Sequence, residues 1–251
     1  MRGHLRYVWV GRVEYQRAWE LQRLLAAQVE TDSIDDVVLL LEHPPVYTMG
    51  RGGSADHLGA GIEALRELGA DYAEVDRGGS VTFHGPGQLV AYPIVKLSRV
   101  FPFDKEGETG DPVRYLRSLE EALIATASSW NINAVVRPPH TGIWVAPTQP
   151  QVPWRKLAAI GVKLTHGVTT HGIALNVTTD LDWFGHVVAC GIEDASVCSI
   201  QSLTRESPDL VEVGALFMQQ LSRSCGIVSA PARLEPIELF GAEFAHATAQ
   251  R

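Results

Sequence analysis

The chain has 251 residues, 45% of them hydrophobic and 20% charged. That is the composition of a globular protein able to bury roughly 70–75% of its unfolded surface, and it excludes disordered, collagen-like and coiled-coil classes. Acidic residues outnumber basic ones 29 to 21, a formal charge of −8, which disfavours bulk attraction to nucleic acid. The longest conspicuous apolar run, Val37 to Leu41, is strand-sized, so no membrane span is expected. Met1 to His4 lead into no apolar segment of the secretory type, and the expectation is a cytoplasmic protein. The 3 cysteines, Cys190, Cys198 and Cys225, are too few and too widely spaced for a disulfide framework or a CxxC metal site, so no metal centre is expected.

In chain order, Tyr15 to Val29 carries Ala18, Leu21, Leu25 and Val29 at helical spacing and predicts an amphipathic helix. Val37 to Glu42 and Leu89 to Leu97 read as strands. Asp111-Pro112 supplies an N-cap and a first-turn proline for a helix whose stripe is Leu116, Leu119, Leu123, Ala127 and Trp130. Gly142 to Val145 and Gly172 to Val177 read as further strands. Ser207-Pro208 opens a last helix with Val213, Leu216, Phe217 and Leu221 on one face and Gly226 as its stop. Strands and helices do not alternate strictly, which predicts a mixed sheet with helices on one side. Residues 1–230 are expected to form one catalytic domain. Pro231 to Pro236 mark a C-terminal segment, residues 231–251, packed on the same domain.

Three segments carry unusual chemistry. Arg77-Gly78-Gly79-Ser80-Val81-Thr82-Phe83-His84-Gly85-Pro86-Gly87-Gln88 interleaves four glycines with Arg, Thr, His and Gln, donors that a plain turn does not need. It lacks the spacing of both the phosphate loop and the dinucleotide fingerprint. Lys156 precedes the small apolar segment Leu157 to Gly161, where a lysine can serve as a base; taken alone, it reads first as a solvated charge at a strand end, the commoner place for a lysine. His171-Gly172 can reach a site through the gap that the glycine leaves, or serve as a bonded structural histidine. Cys190-Gly191 can present a sulfur nucleophile and an adjacent N–H to one carbonyl. Cys198 and Cys225 read as buried, inert thiols.

Taken together and in this order, the segments resemble the lipoyl(octanoyl) transferase family. The RGGxxTxHGPGQ pattern stands at Arg77 to Gln88, KxAxxG at Lys156 to Gly161, HGxALNV at His171 to Val177 and the cysteine-glycine turn at Cys190-Gly191. Similarity extends from about Leu41 to that turn. The resemblance implies an α/β fold of the α+β type, mixed sheets packed with helices as in the lipoate and biotin protein ligase catalytic domain. It implies a Cys190–Lys156 dyad. It assigns substrate contacts to Arg77, Gly78, Gly79, Ser80, Val81, Thr82, Phe83 and His84, to Ala159, Ile160 and Gly161, and to Gly172, Ile173 and Ala174. One departure is Ala189, where many members carry proline.

The activity so implied moves an octanoyl group from octanoyl-acyl carrier protein to a lysine of a lipoyl domain, with no cofactor. The acceptors implied are the lipoyl domains of 2-oxoacid dehydrogenase E2 subunits and the glycine cleavage H protein; neither nucleic acid nor membrane is a partner. An ATP-dependent lipoate–protein ligase and a non-catalytic carrier-protein binding module are the alternatives. Because both protein partners are expected to be acidic, Arg51, Arg77 and Arg155 are expected to form a positive rim.

Overall fold

The computed structural model describes residues 4–59, 61–102, 110–149, 151–187 and 195–231. Val37–Glu42 (β2) shows how the fold is organised, because its run of five apolar residues has no polar face to offer water. Val38 and Leu40 enter one core and Val37, Leu39 and Leu41 the other. A strand buried on both sides needs helices on both faces of its sheet. That corrects the expected one-sided arrangement.

The face of Val37, Leu39 and Leu41 is covered by α1, Tyr15–Glu30, whose predicted stripe Ala18, Leu21, Leu25 and Val29 is buried. On the opposite face lie α4, Pro112–Ser128, and α6, Leu210–Cys225, packed on each other. Asp111 caps α4 as predicted, accepting from the N–H groups of Val113 and Arg114. The cap of α6 is Asp209, not Ser207. Its carboxylate accepts from Val211 and Glu212, since Pro208 can stand outside the helix while an acidic cap meets the first free N–H groups. Short helices α2 (Ile62–Glu67), α3 (Leu97–Val100) and α5 (Ile200–Thr204) complete the set.

The large sheet contains β1 (His4–Arg12), β2, β6 (Gln88–Ile94), β7 (Ala134–Arg137), β8 (His140–Val145), β9 (Trp154–Thr165), β10 (Val168–Asn176), β11 (Ala195–Val197) and β12 (Val228–Pro231). Its order among the described residues is β12-β1-β2-β6-β10-β9-β8-β7, with β11 also on β9. Pro231 therefore ends a strand of the main sheet, and residues 232–251 lie outside the described ones. A small sheet of β3 (Val46–Met49), β4 (Asp71–Glu74) and β5 (Val81–His84) runs in the order β4-β3-β5. The turn Gly85–Gly87 joins β5 directly to β6, so the small sheet stands at the end of the large one.

Strand β9 changes partners partway along its length. Strand β10 pairs with it from Thr165 only as far as Ala158. Beyond that point β11 takes the vacated edge, with Val197 opposite Lys156, while β8 keeps the other edge, with Trp144 opposite Lys156.

Candidate active site

One cavity of about 340 Å³ gathers most of the residues singled out by sequence. That volume is at the small end of the range for small-molecule sites, on the order of 300–1,000 Å³. Arg77 to Thr82 and His84 contribute one side, Ala159 to Gly161 of β9 and Gly172 to Ala174 of β10 another, and Lys156 stands among them. Phe83 is the exception. Successive side chains on a strand face opposite ways, and the Phe83 ring packs on Tyr47, Trp183 and Phe184 instead. Sequence patterns do not reveal Tyr15 of α1, Tyr92 of β6, or Pro139, His140 and Thr141 at the start of β8. No motif connects these positions; only the fold brings them here. Cys190, Gly191 and Ala189 lie outside the described residues.

The glycine-rich segment is held by its backbone. The N–H groups of Gly50, Arg51 and Gly52 donate to the carbonyls of Ser80, Arg77 and Gly79, and that of Gly78 donates to Val162. Gly79 has φ +84°, a conformation open to glycine at no steric cost. Arg77 is only 7% exposed, and its Nη2 donates to both the carbonyl and the hydroxyl of Thr48 at 2.7 Å. It is thus a buried strut of the cavity wall. The expected positive rim loses Arg77, leaving exposed Arg51 and half-buried Arg155.

Besides His140, three histidines line or back the cavity, His43, His84 and His171, each of them bonded. Burial pushes the pKa of His43 down to about 4, which leaves the ring neutral: its Nδ1 donates to Val13 O at 2.6 Å, and its Nε2 then accepts from Tyr92 Oη at 2.7 Å. His171, at φ +57°, turns its backbone N–H onto Gln22 Oε1 of α1 at 2.7 Å. Its Nε2 bonds Asp76 at 2.9 Å, and Tyr15 Oη lies 3.4 Å from Nδ1. Both readings of His171 therefore hold: it lines the cavity and is a bonded structural group. Burial lowers its pKa despite the Asp76 carboxylate. Burial raises that of Asp76, but bonds from Lys163 and His171 outweigh it and hold the carboxyl below its ordinary value. Burial also pushes up both phenols, Tyr15 and Tyr92. These groups pair with one another: Tyr15 with His171, Tyr92 with His43, and His171 with Asp76.

Lys156 differs. It is half-buried at the β11 end of β9, its Nζ 4.9 Å above the centre of the Trp144 ring. The electron-rich indole face attracts and orients a cation placed over it. The other two cysteines sit apart from the cavity. Cys198 is buried and Cys225 half-buried, and burial pushes each thiol up to about 12.

A mixed sheet with helices on both faces, and a glycine-rich loop laid over two of its strands beside a lysine, defines a catalytic domain of the lipoate-ligase type. The chain belongs to that family: residues 14–222 match the lipoyl protein ligase A/B catalytic domain, a longer stretch than the motifs alone span. It is 46% identical over 201 residues to an octanoyltransferase of Rubrobacter xylanophilus, covering 79% of this chain and 83% of that one. It is 44% identical over 216 residues to an octanoyltransferase of Thermobifida fusca, covering 85% and 84%. Among solved structures, the bi-partite lipoate protein ligase of Thermoplasma acidophilum superposes with a TM-score of 0.67 at 16% identity, over 96% of this chain and 91% of that one. A lipoate-protein ligase A bound with ATP gives 0.63 at 16%, over 97% and 94%. The protein is an acyltransferase acting in octanoyl transfer and lipoylation.

Proposed function

We propose that the chain takes an octanoyl group from octanoyl-acyl carrier protein and delivers it to a lysine of a lipoyl domain, through a thioester on Cys190. The E2 lipoyl domains of 2-oxoacid dehydrogenases and the glycine cleavage H protein are the acceptors. In the first half-reaction the Cys190 thiolate attacks the donor's thioester carbonyl. Its carbon–sulfur bond to the phosphopantetheine arm breaks, and the released thiolate takes a proton from the Lys156 ammonium. In the second, the acceptor amine attacks the acyl-Cys190 carbonyl and passes a proton to Lys156. The amide forms as the Cys190 thiolate leaves. One thioester is exchanged for another before a more stable amide forms, so no nucleotide enters the balance.

The observation that carries this reading is the register at the end of β9. Lys156 stands opposite Val197, the residue seven positions after Cys190, and on the same cavity as the loop from Arg77. The cavity's internally paired polar groups suit an acyl chain, which offers them no hydrogen bonds. Backbone N–H groups of the Arg77–His84 loop and of Gly191 are the proposed oxyanion donors, and Ala159, Ile160, Ile173 and Ala174 the apolar contacts of the chain.

The rival is acyl-adenylate chemistry on the same fold, and one structural relative is a lipoate-protein ligase with ATP bound. Purified protein, octanoyl-carrier protein and a lipoyl domain incubated without nucleotide are expected to yield octanoylated lipoyl domain by intact mass. Transfer that appears only with octanoic acid and ATP contradicts the proposal.

A further inference from the structure

Two motif residues, Gln88 and Asn176, are not among the residues that line the cavity. Both side chains are buried, at 1% and 4% exposure. They form one polar chain. His84 Nδ1 lies 2.8 Å from Gln88 Oε1. Gln88 Nε2 donates to Asn176 Oδ1 at 2.9 Å and to Phe83 O at 3.1 Å. Asn176 Nδ2 donates to Cys198 O at 3.0 Å, and the Cys198 N–H donates to Lys156 O at 3.0 Å.

The direction of this chain is set at one end. A backbone carbonyl only accepts, so Cys198 O requires the NH₂ of Asn176, which turns Asn176 Oδ1 toward Gln88. Gln88 must then present its NH₂ to Asn176 and its oxygen to His84. The imidazole is left to donate from Nδ1, with Nε2 as an acceptor on the side of Thr48. Thr48 Oγ1 lies 3.5 Å from Nε2 and already accepts from Arg77, leaving its own proton for the ring. Aligned amides of this kind polarise one another and resist reversal.

We propose that Gln88 and Asn176 are positioning residues of the transfer reaction, holding His84 as its Nδ1–H tautomer in the cavity wall and the Cys198 backbone against Lys156. The inference rests on the proposed transfer, in which Lys156 moves the protons. It gives two motif ends, 88 residues apart in sequence, one shared task. The groups facing the His84 ring are Gln88, Thr48, Arg77, Tyr15, His43 and His171. None is an anion, and burial together with His43 and Arg77 keeps the ring neutral.

The test combines a spectrum with kinetics. In long-range proton–nitrogen correlation of histidine-labelled protein, with the His84 signals assigned by their loss in His84→Asn, the wild type is expected to show a protonated Nδ1 and a bare Nε2. Gln88→Met keeps the shape and removes the acceptor. It is expected to release the tautomer and lower kcat about tenfold, as misplacement of reacting groups does, with KM for the carrier protein unchanged. Gln88→Glu restores an acceptor at Nδ1 but adds a charge. It should recover the tautomer, raise the imidazole's pKa and add a further acid limb to the pH–rate profile, beyond the one that ionisation of the Cys190 thiol gives the wild type.

A wild-type His84 protonated at Nε2 overturns the proposal, as does Gln88→Met with wild-type kcat. Should Gln88→Met fail to fold, Gln88→Glu decides alone, because an unaltered profile and kcat contradict the proposal. If the wild type transfers nothing from an octanoyl thioester, the reading of the reaction falls, while the His84 spectrum still decides the polar chain.

Discussion

The two ends of β9 build the same cavity in opposite ways. At the Gly161 end the strand is paired with β10 and roofed by the glycine-rich loop, and the polar groups nearby bond one another: Asp76 with His171 and Lys163, Arg77 with Thr48. At the Lys156 end β10 has stopped, β11 has taken its place, and a half-buried ammonium stands over Trp144. One end is suited to enclose an unreactive chain, the other to move protons. A single strand serves both because its neighbour changes partway along it.

The sharpest way to break that contrast is at the reactive end. Cys190→Ser should abolish turnover, because a serine hydroxyl is far harder to ionise at neutral pH than a thiol. Cys198→Ser and Cys225→Ser should remain active, as buried thiols away from the cavity do. Steady-state transfer assays check all three. Next, Lys156→Ala should slow transfer by about 10²–10⁴-fold, the usual span for loss of a general acid–base group. It should also shift alkylation of Cys190 by iodoacetamide to higher pH, with the thermal melt nearly unmoved. Lys156→Arg should restore the alkylation profile better than the rate, since guanidinium keeps its charge but exchanges protons poorly.

At the enclosing end the expected effects fall on stability. A Cβ on Gly172 would sit 2.1 Å from Ala91 O of the adjacent strand, so Gly172→Ala should cost roughly 1–3 kcal/mol by overpacking, read as a lower melting temperature. Acid should weaken the same wall. His43 is held neutral with a pKa near 4 against an ordinary 6.5, so below about 6.5 the unfolded chain binds a proton that the folded one does not. Stability is then full above that value and declines down to pH 4. His43→Gln, which keeps a donor and an acceptor, should flatten that decline in melts run across the range. Smallest of all, charge reversal at Arg51 and Arg155 should weaken carrier-protein binding a few-fold, and only at low salt.

The segments that build the wall were legible in sequence because glycine, histidine and arginine crowd into short runs there. The scaffold was legible where periodicity is strong, as in the Ala18 to Val29 stripe and the Asp111 cap. What escaped had a physical reason in each case. Strand β9 mixes Lys, Gly and Ala too evenly to show a period of two. Val37 to Leu41 is apolar throughout, so it cannot announce which face a helix covers, and here both are covered. Tyr15, Tyr92 and His140 reach the cavity from three separate elements. Phe83 was carried along with its neighbours although strand alternation turns it away. The pairing of Gln88 with Asn176 depends on β6 and β10 lying side by side, which no local pattern encodes.

Whether the acyl group rests on Cys190 between donor and acceptor is the question on which the mechanism turns. Incubating the protein with octanoyl-carrier protein alone, quenching in acid and mapping peptides by mass spectrometry tests it most directly. The expected product is a hydroxylamine-sensitive octanoyl adduct on the peptide containing Cys190, discharged when a lipoyl domain is added. An adduct on Cys198 or Cys225, or transfer to the lipoyl domain at full rate with no acylated enzyme at any time, would contradict the thioester mechanism.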